Sequence, residues 1–297
     1  WPIFSRKSTC QIRKQPDMGR WPITSKDKGY VPQVSEHIER KENPNCPFCR
    51  GNEKITPPEI LTKKDGKGNW EIRVIPNKYP ALKSEGELTR KGVGMYDQMA
   101  GIGSHEVIIE TPDHLKSITD FSKEKLTEVF KTFIERINDL KNDKRFRYIL
   151  VFKNEGASAG ASLEHSHSQL IATPIIPKRV NEELEGAKFY YEYKRRCIFC
   201  DEIALLKDDP ERVVFSNEGT LLITPFASRF PFEMWLLPKN HHSRFESSDE
   251  NLLGDLAESL LKGLKSLNRT LVNPPYNIIL HNTPLENYAD DYYHFHF

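Results

Sequence analysis

The sequence lacks the compositional marks of a nucleic-acid or membrane protein. Its 43 basic and 42 acidic residues leave a net charge of +1, so no surplus of Lys and Arg supplies a sustained basic face for nucleic acid. No apolar run approaches the ~20 residues of a membrane helix. No secretory signal is visible, although the chain starts at Trp1 without Met, and the cytoplasm is the expected compartment. Cysteine is scarce, with five among 297 residues. Four of the five nevertheless form two CxxC pairs, Cys46/Cys49 and Cys197/Cys200, with Cys10 left over. In a reducing compartment such pairs point to metal ligands or redox centres rather than structural disulfides.

What is present is ordinary for a soluble globular chain: 37% hydrophobic and 29% charged residues. The length suits one large core or two domains of about 150 residues each. Residues 1–30, basic and rich in Pro, read as an irregular or edge segment. EIRVI (71–75) reads as a strand ending at Pro76, the Gly-rich stretch 83–103 as a long loop, and EVIIE (106–110) as a strand. Leu126, Val129, Phe130, Phe133, Ile134, Ile137 and Leu140 recur at helical spacing behind Ser122, a candidate cap. A strand from Tyr148 to Lys153, the loop NEGASAGAS, HSHSQ and the strand-like LIAT follow.

The second half repeats this order. Residues 212–224 predict a hairpin around Asn217-Glu218-Gly219, and EMWLL (233–237) a strand. Leu253, Leu256, Leu260, Leu264 and Leu267 mark a second amphipathic helix, with Ser247 and Glu250 at capping-box spacing. YNIIL (276–280) is the last predicted strand. CPFC (46–49) matches CIFC (197–200), and HEVIIETPDH (105–114) matches FEMWLLPKNH (232–241). YILVFKNEG matches YNIILHNTP, and His165-Ser-His167 matches His294-Phe-His296. Landmarks in one shared order indicate an internal duplication rather than two unrelated α/β units, with its joint in the charged stretch 178–196. The expected units are 1–177, carrying the nucleophile described below, and 178–297, shortened at its end.

A structural zinc site takes four Cys or His ligands in a tetrahedron. The matched positions supply Cys46, Cys49, His114 and His165 in the first half, and Cys197, Cys200, His241 and His294 in the second. His242, His281 and His296 are rival ligands for the second set. Redox motifs usually place CxxC at a helix start, whereas Asn43-Pro44-Asn45 reads as a loop.

On a strand, alternation turns His165, His167 and Gln169 to one face. If His165 holds zinc, His167 stands beside a rigid anchor. A neutral imidazole, its second nitrogen held by an acceptor such as a backbone carbonyl, can attack phosphorus and form a phosphoramidate-type intermediate. Gln169 can donate to a non-bridging phosphate oxygen. The small residues of the preceding loop let backbone N–H groups approach an anion. Alone, that loop would read as a flexible surface turn.

With IRKQPDMGRW, NPNCPFC, RVIPNKYPAL, HEVIIETPDH, FKNEGASAGASLEHSHSQ and PFEMWLLPKNH, the chain resembles the galactose-1-phosphate uridylyltransferases of the histidine-triad superfamily. The resemblance implies an α+β fold of two histidine-triad-like repeats, each an antiparallel sheet with a packed helix, and a homodimer with active sites near the subunit interface. It implies a ping-pong reaction between UDP-glucose and galactose 1-phosphate, with UMP carried on His167 and steadied by Gln169. Asn154, Gly160, Ala161 and Ser162 match phosphate-contacting positions, and Asn77 a position near the base or ribose. No nucleic-acid or membrane partner is expected.

The chain departs from the family pattern in several places. Ser166 stands where the family usually has Pro, and KDKGYVP (26–32) replaces a stretch that often carries phosphate-binding Arg. Some members hold iron at the second site through Glu and three His; CIFC here favours zinc, with His294 retained and His281 released. The segment that usually contacts the hexose lies beyond Phe297. The Ser166 spelling and the second Cys pair also resemble an adenylyl branch, an ADP-glucose or dinucleoside-polyphosphate phosphorylase with phosphate as acceptor. A non-catalytic zinc or nucleotide-binding module is the alternative from another class.

Overall fold

A computed structural model describes residues 10–14, 17, 22–25, 40–286 and 289–297. KDKGYVP and most of IRKQPDMGRW lie outside the described residues. In chain order, β1 (Cys10–Ile12) and β2 (Ile23–Ser25) form a two-stranded ribbon. β3 (Leu61–Lys64) and β4 (Trp70–Pro76) precede an exposed hairpin, β5 (Arg90–Val93) and β6 (Tyr96–Met99). Then come β7 (Ser104–Ile109), α1 (Lys123–Leu140), β8 (Tyr148–Glu155) and β9 (His167–Thr173). Helices α2 (Lys178–Lys194) and α3 (Ile198–Leu205) lead into β10 (Val213–Ser216), β11 (Thr220–Ile223) and β12 (Trp235–Pro238). The chain continues through α4 (Glu250–Leu271) and β13 (Tyr276–Leu280).

Six strands in the order β13-β8-β9-β7-β4-β3 make an antiparallel sheet, and β10-β11-β12 make another. Residues 294–297 join them. Leu236 of β12 exchanges backbone hydrogen bonds of 2.8 and 2.9 Å with Phe297, and His281 does so with His296 at 2.8 and 3.0 Å. One antiparallel surface therefore runs through both halves, in a mixed α+β fold.

Strand alternation sorts the side chains onto two faces. On one face, Ile72, Val74, Ile108, Val151, Leu170, Leu222, Leu236 and Leu280 pack under α1 and α4 in a single core. On the other face, two smaller cores form, one around Cys46, Phe48 and Ile109 and one around Cys197, Phe199 and Trp235. Each Cys pair thus sits inside its own apolar cluster, away from the helices α1 and α4.

The helices start where their caps allow. Ser122 accepts from the Lys125 N–H, as expected. At α4 the structure corrects the expectation. Asp249, not Ser247, caps the helix by accepting from the Leu252 N–H, while Ser247 belongs to a preceding 3₁₀ turn. The charged stretch 178–196 is mostly helix. Val180, Glu183, Leu184 and Ala187 recur on the buried side of α2, and its exposed side mixes charged residues with Phe189 and Tyr193. Gly186 lets this helix touch the N-terminal segment, because a Cβ there would lie 1.5 Å from the Asp17 carbonyl oxygen. The stretch 83–103, expected as loop, carries the β5–β6 hairpin, whose side chains are exposed and so leave no buried period to read. No helix among the described residues is long and apolar enough to cross a membrane.

Candidate active site and metal-binding clusters

The first set of candidate ligands converges from three stretches of chain. Cys46 and Cys49 lie in a turn, His114 follows β7, and His165 immediately precedes β9. Their ligand atoms all lie within 4.8 Å of one another. The Cys49 Sγ stands 3.4 Å from His114 Nδ1 and 3.6 Å from His165 Nδ1, and the Cys46 Sγ 3.6 Å from His165 Nδ1. Zinc bonds of ~2.3 Å to sulfur and ~2.05 Å to nitrogen give a tetrahedral S···N edge of about 3.6 Å. The donor set and its spacing therefore fit a zinc ion. His165 Nε2–H donates to the Thr111 carbonyl at 2.7 Å, which turns the Nδ1 lone pair toward the cluster. Burial, with Cys46 alongside, pushes the Cys49 thiol up to about 12. A dication between two such sulfurs would offset that repulsion and loss of hydration.

The second set repeats the geometry. Cys200 Sγ lies 3.4 Å from His241 Nδ1 and 3.6 Å from His294 Nδ1, and Cys197 completes the group. His241 Nε2–H donates to the Asp290 carbonyl and His294 Nε2–H to the Pro238 carbonyl, at 2.7 and 3.0 Å. Cys197 caps α3, so this pair does begin a helix, unlike the first. Of the rivals, His242 packs against Phe295. His281 and His296 gather instead with buried Glu183 of α2, whose carboxylate contacts His281 Nδ1 at 2.7 Å. Glu183 was not visible as a site residue in the sequence.

His167 opens β9 beside this first cluster and is buried. Its Nδ1–H donates to the His165 carbonyl at 2.7 Å, which leaves Nε2 as the nitrogen with a free lone pair. Phe48 packs edge-on against the ring, with centroids 5.4 Å apart. Burial, and the positive charge of Lys153 behind the strand, hold the His167 imidazole below its ordinary range. The ring is thus neutral and nucleophilic near pH 7. His296 occupies the matching place in the second half, with the same Nδ1–H to the His294 carbonyl at 3.1 Å. There the His281 and Trp235 rings stack close, at centroid distances of 4.7 and 5.3 Å.

On the helix face behind His167, a polar group fills what the sequence pattern would leave apolar. Lys153 Nζ donates to Glu110 at 2.8 Å, to Ser166 Oγ at 2.9 Å and to the His167 carbonyl at 3.1 Å. Ser166 and Ser168 donate to the two Glu110 oxygens at 2.6 and 2.5 Å. All four side chains are buried. Burial alone would raise the Glu110 carboxyl, but Lys153 and the two serines outweigh it and hold it below the usual carboxylate range.

The candidate phosphate loop folds back on itself. A 3₁₀ turn, Ala157–Ala159, is flanked by Gly156 at φ 85° and Gly160 at φ 90°, backbone that favours glycine. Ala161 N–H closes onto the Gly156 carbonyl at 3.2 Å. Asn277 of β13 ties the loop down by donating to Asn154 Oδ1 and the Ala159 carbonyl, both at 2.8 Å. Ser162 is exposed. Asn77 sits beside Gln169 through a shared neighbour, His105. The Asn77 N–H donates to the His105 carbonyl at 2.8 Å, and His105 Nε2 lies 2.8 Å from Gln169 Oε1. His105 was missed at the sequence level, although it shares a strand face with Val107 and Ile109. Arg40, also missed, is anchored by an ion pair with Glu155 and by donating to the Lys116 carbonyl.

Residues 15–177 match the family model described as galactose-1-phosphate uridyl transferase, N-terminal domain. The chain is 35% identical over 283 residues to an ADP-glucose phosphorylase of Arabidopsis thaliana, covering 93% of this chain and 79% of the relative. It is 27% identical over 290 residues to a galactose-1-phosphate uridylyltransferase of Thermotoga maritima, covering 96% and 85%. A solved ADP-glucose phosphorylase from Arabidopsis thaliana with bound ADP-glucose superposes with a TM-score of 0.81 at 32% identity, covering 97% of this chain and 87% of that one.

Proposed function

This chain belongs to the galactose-1-phosphate uridyl transferase family, and from that premise we propose that it moves a nucleoside monophosphate from a nucleoside-diphosphate hexose to an acceptor phosphate by way of His167. The observation that carries the reading is the bond from His167 Nδ1–H to the His165 carbonyl, 2.7 Å long in a buried setting. It fixes the tautomer whose Nε2 is free to attack. Nε2 forms a bond to the α-phosphorus while the bond from that phosphorus to the bridging oxygen breaks. Hexose 1-phosphate leaves with the electron pair. An oxygen of the acceptor phosphate then attacks the same phosphorus, the P–Nε2 bond breaks, and the neutral imidazole returns. Gln169 donates to a non-bridging oxygen in both steps, where charge develops.

We favour ADP-glucose as donor and inorganic phosphate as acceptor, giving ADP and glucose 1-phosphate. Support comes from the higher identity to the adenylyl relative, 35% against 27% for the Thermotoga enzyme. Ser166 adds to it, since its hydroxyl is built into the Glu110 network where the uridylyl pattern has Pro. The second reading, UMP exchange between UDP-glucose and galactose 1-phosphate, is favoured by the family match over 15–177. In either case the two Cys/His clusters would each hold a structural zinc that pins turns and strand ends together. The assembly is proposed as a homodimer of two-repeat chains, in the cytoplasm.

Intact-mass spectrometry after brief incubation with each nucleotide sugar tests this. An AMP adduct from ADP-glucose, discharged by inorganic phosphate, is the expected result, and His167→Gly should form none. A UMP adduct discharged by galactose 1-phosphate would select the second reading. Absence of any adduct would retract nucleotidyl transfer through His167.

A further inference from the structure

A glutamine amide has two ends, and only its NH₂ can serve an anion. In the site above, nothing about Gln169 itself decides which end faces the phosphate. We propose that His105 is a positioning residue that makes this choice, an inference that rests on the nucleotidyl-transfer reading.

Two of the three contacts to the His105 ring favour one tautomer. The backbone N–H of Ala81 donates to His105 Nδ1 at 3.2 Å. That nitrogen is therefore an acceptor, which favours the tautomer with the proton on Nε2. Nε2–H in turn points at Gln169 Oε1, 2.8 Å away. Asn77 Nδ2 is 3.1 Å from the same ring nitrogen. Its Oδ1 accepts from the Tyr79 N–H at 2.8 Å, so Asn77 turns a donor toward Nε2 and opposes a proton there; the shorter Gln169 contact and the Ala81 N–H on Nδ1 favour that proton. With Oε1 held, the Gln169 NH₂ is the end left to point along the face that carries His167. The pairing register supplies the reach. Val107 opposes Gln169 and His105 opposes Ile171, so His105 and Gln169 are diagonal cross-strand neighbours, a separation that long side chains bridge.

The relay Ala81 N–H, His105, Gln169, phosphate makes a quantitative demand. Removing the donor itself, by Gln169→Ala, should slow adduct formation from ADP-glucose by about 100-fold, the usual range for a donor to developing charge. His105→Phe should slow it by about tenfold with little change in KM, because the amide survives but loses its orientation. In a Gln169→Ala background His105→Phe should cost nothing more, since its effect passes through the glutamine. His105→Gln, whose amide can accept from Ala81 and donate to Gln169, should recover most of the loss. Full activity in His105→Phe, or a loss in the double variant equal to the product of the single losses, would overturn the proposal. Failure of the unsubstituted protein to form any adduct would instead retract the nucleotidyl-transfer reading, and this inference with it.

Discussion

The hydroxyl of Ser166 donates to Glu110, accepts from Lys153, and so ties the backbone between the two histidines to a buried ion pair. A proline there could make neither bond. Breaking such a pair on one side leaves an uncompensated charge. Lys153→Met should cost about 3–5 kcal/mol in urea unfolding, whereas Lys153→Met combined with Glu110→Leu should recover much of it. The pH dependence follows in sign. The Glu110 carboxyl is depressed in the folded state, so its stabilisation is present above the unfolded value of about 4.3 and is lost as pH falls through the folded one. The doubly substituted protein should lack that acid-limb loss. At this scale the sequence made both Cys/His sets legible, because each motif is local and repeated, and it offered His167 and Gln169 as the proposed transfer site. It hid Lys153–Glu110 and His105–Gln169, whose partners stand 43 and 64 residues apart and meet only through strand register.

Among the elements, those with a buried period were legible. YNIIL spans β13 as expected, and α1 runs from its expected cap. Helix α2 was hidden because charged residues and exposed aromatics mix on its outer side, and β5–β6 because its side chains are almost all exposed. The cap of α4 tests the correction made there. Asp249→Ala should lower stability by about 1 kcal/mol. Ser247→Ala should cost clearly less, since that hydroxyl donates to the Arg244 carbonyl rather than accepting from a helix N–H. Chemical denaturation of both variants separates the two assignments, and equal losses would restore Ser247 as the cap.

Taken whole, the molecule sets one large core on one face of a shared sheet against two small ones on the other, each wrapped around a Cys pair. Apolar clusters that small gain much of their order from a metal at the centre. Cys46→Ala should halve the zinc content by elemental analysis, lower the thermal midpoint, and slow adduct formation, because His165 then no longer anchors the strand bearing His167. Unchanged metal content would contradict the first cluster as a zinc site. The shared sheet has a kinetic corollary. At the seam of the two halves Asn154 of β8 meets Asn277 of β13, 123 residues away. Pairings of such high contact order repay their loop-closure entropy late in folding. Until β13 arrives, β8 is an open edge with Ile149, Val151 and unpaired backbone groups available to any other strand. A ribosome that has delivered only the first half has therefore made a chain whose stickiest border is still uncovered.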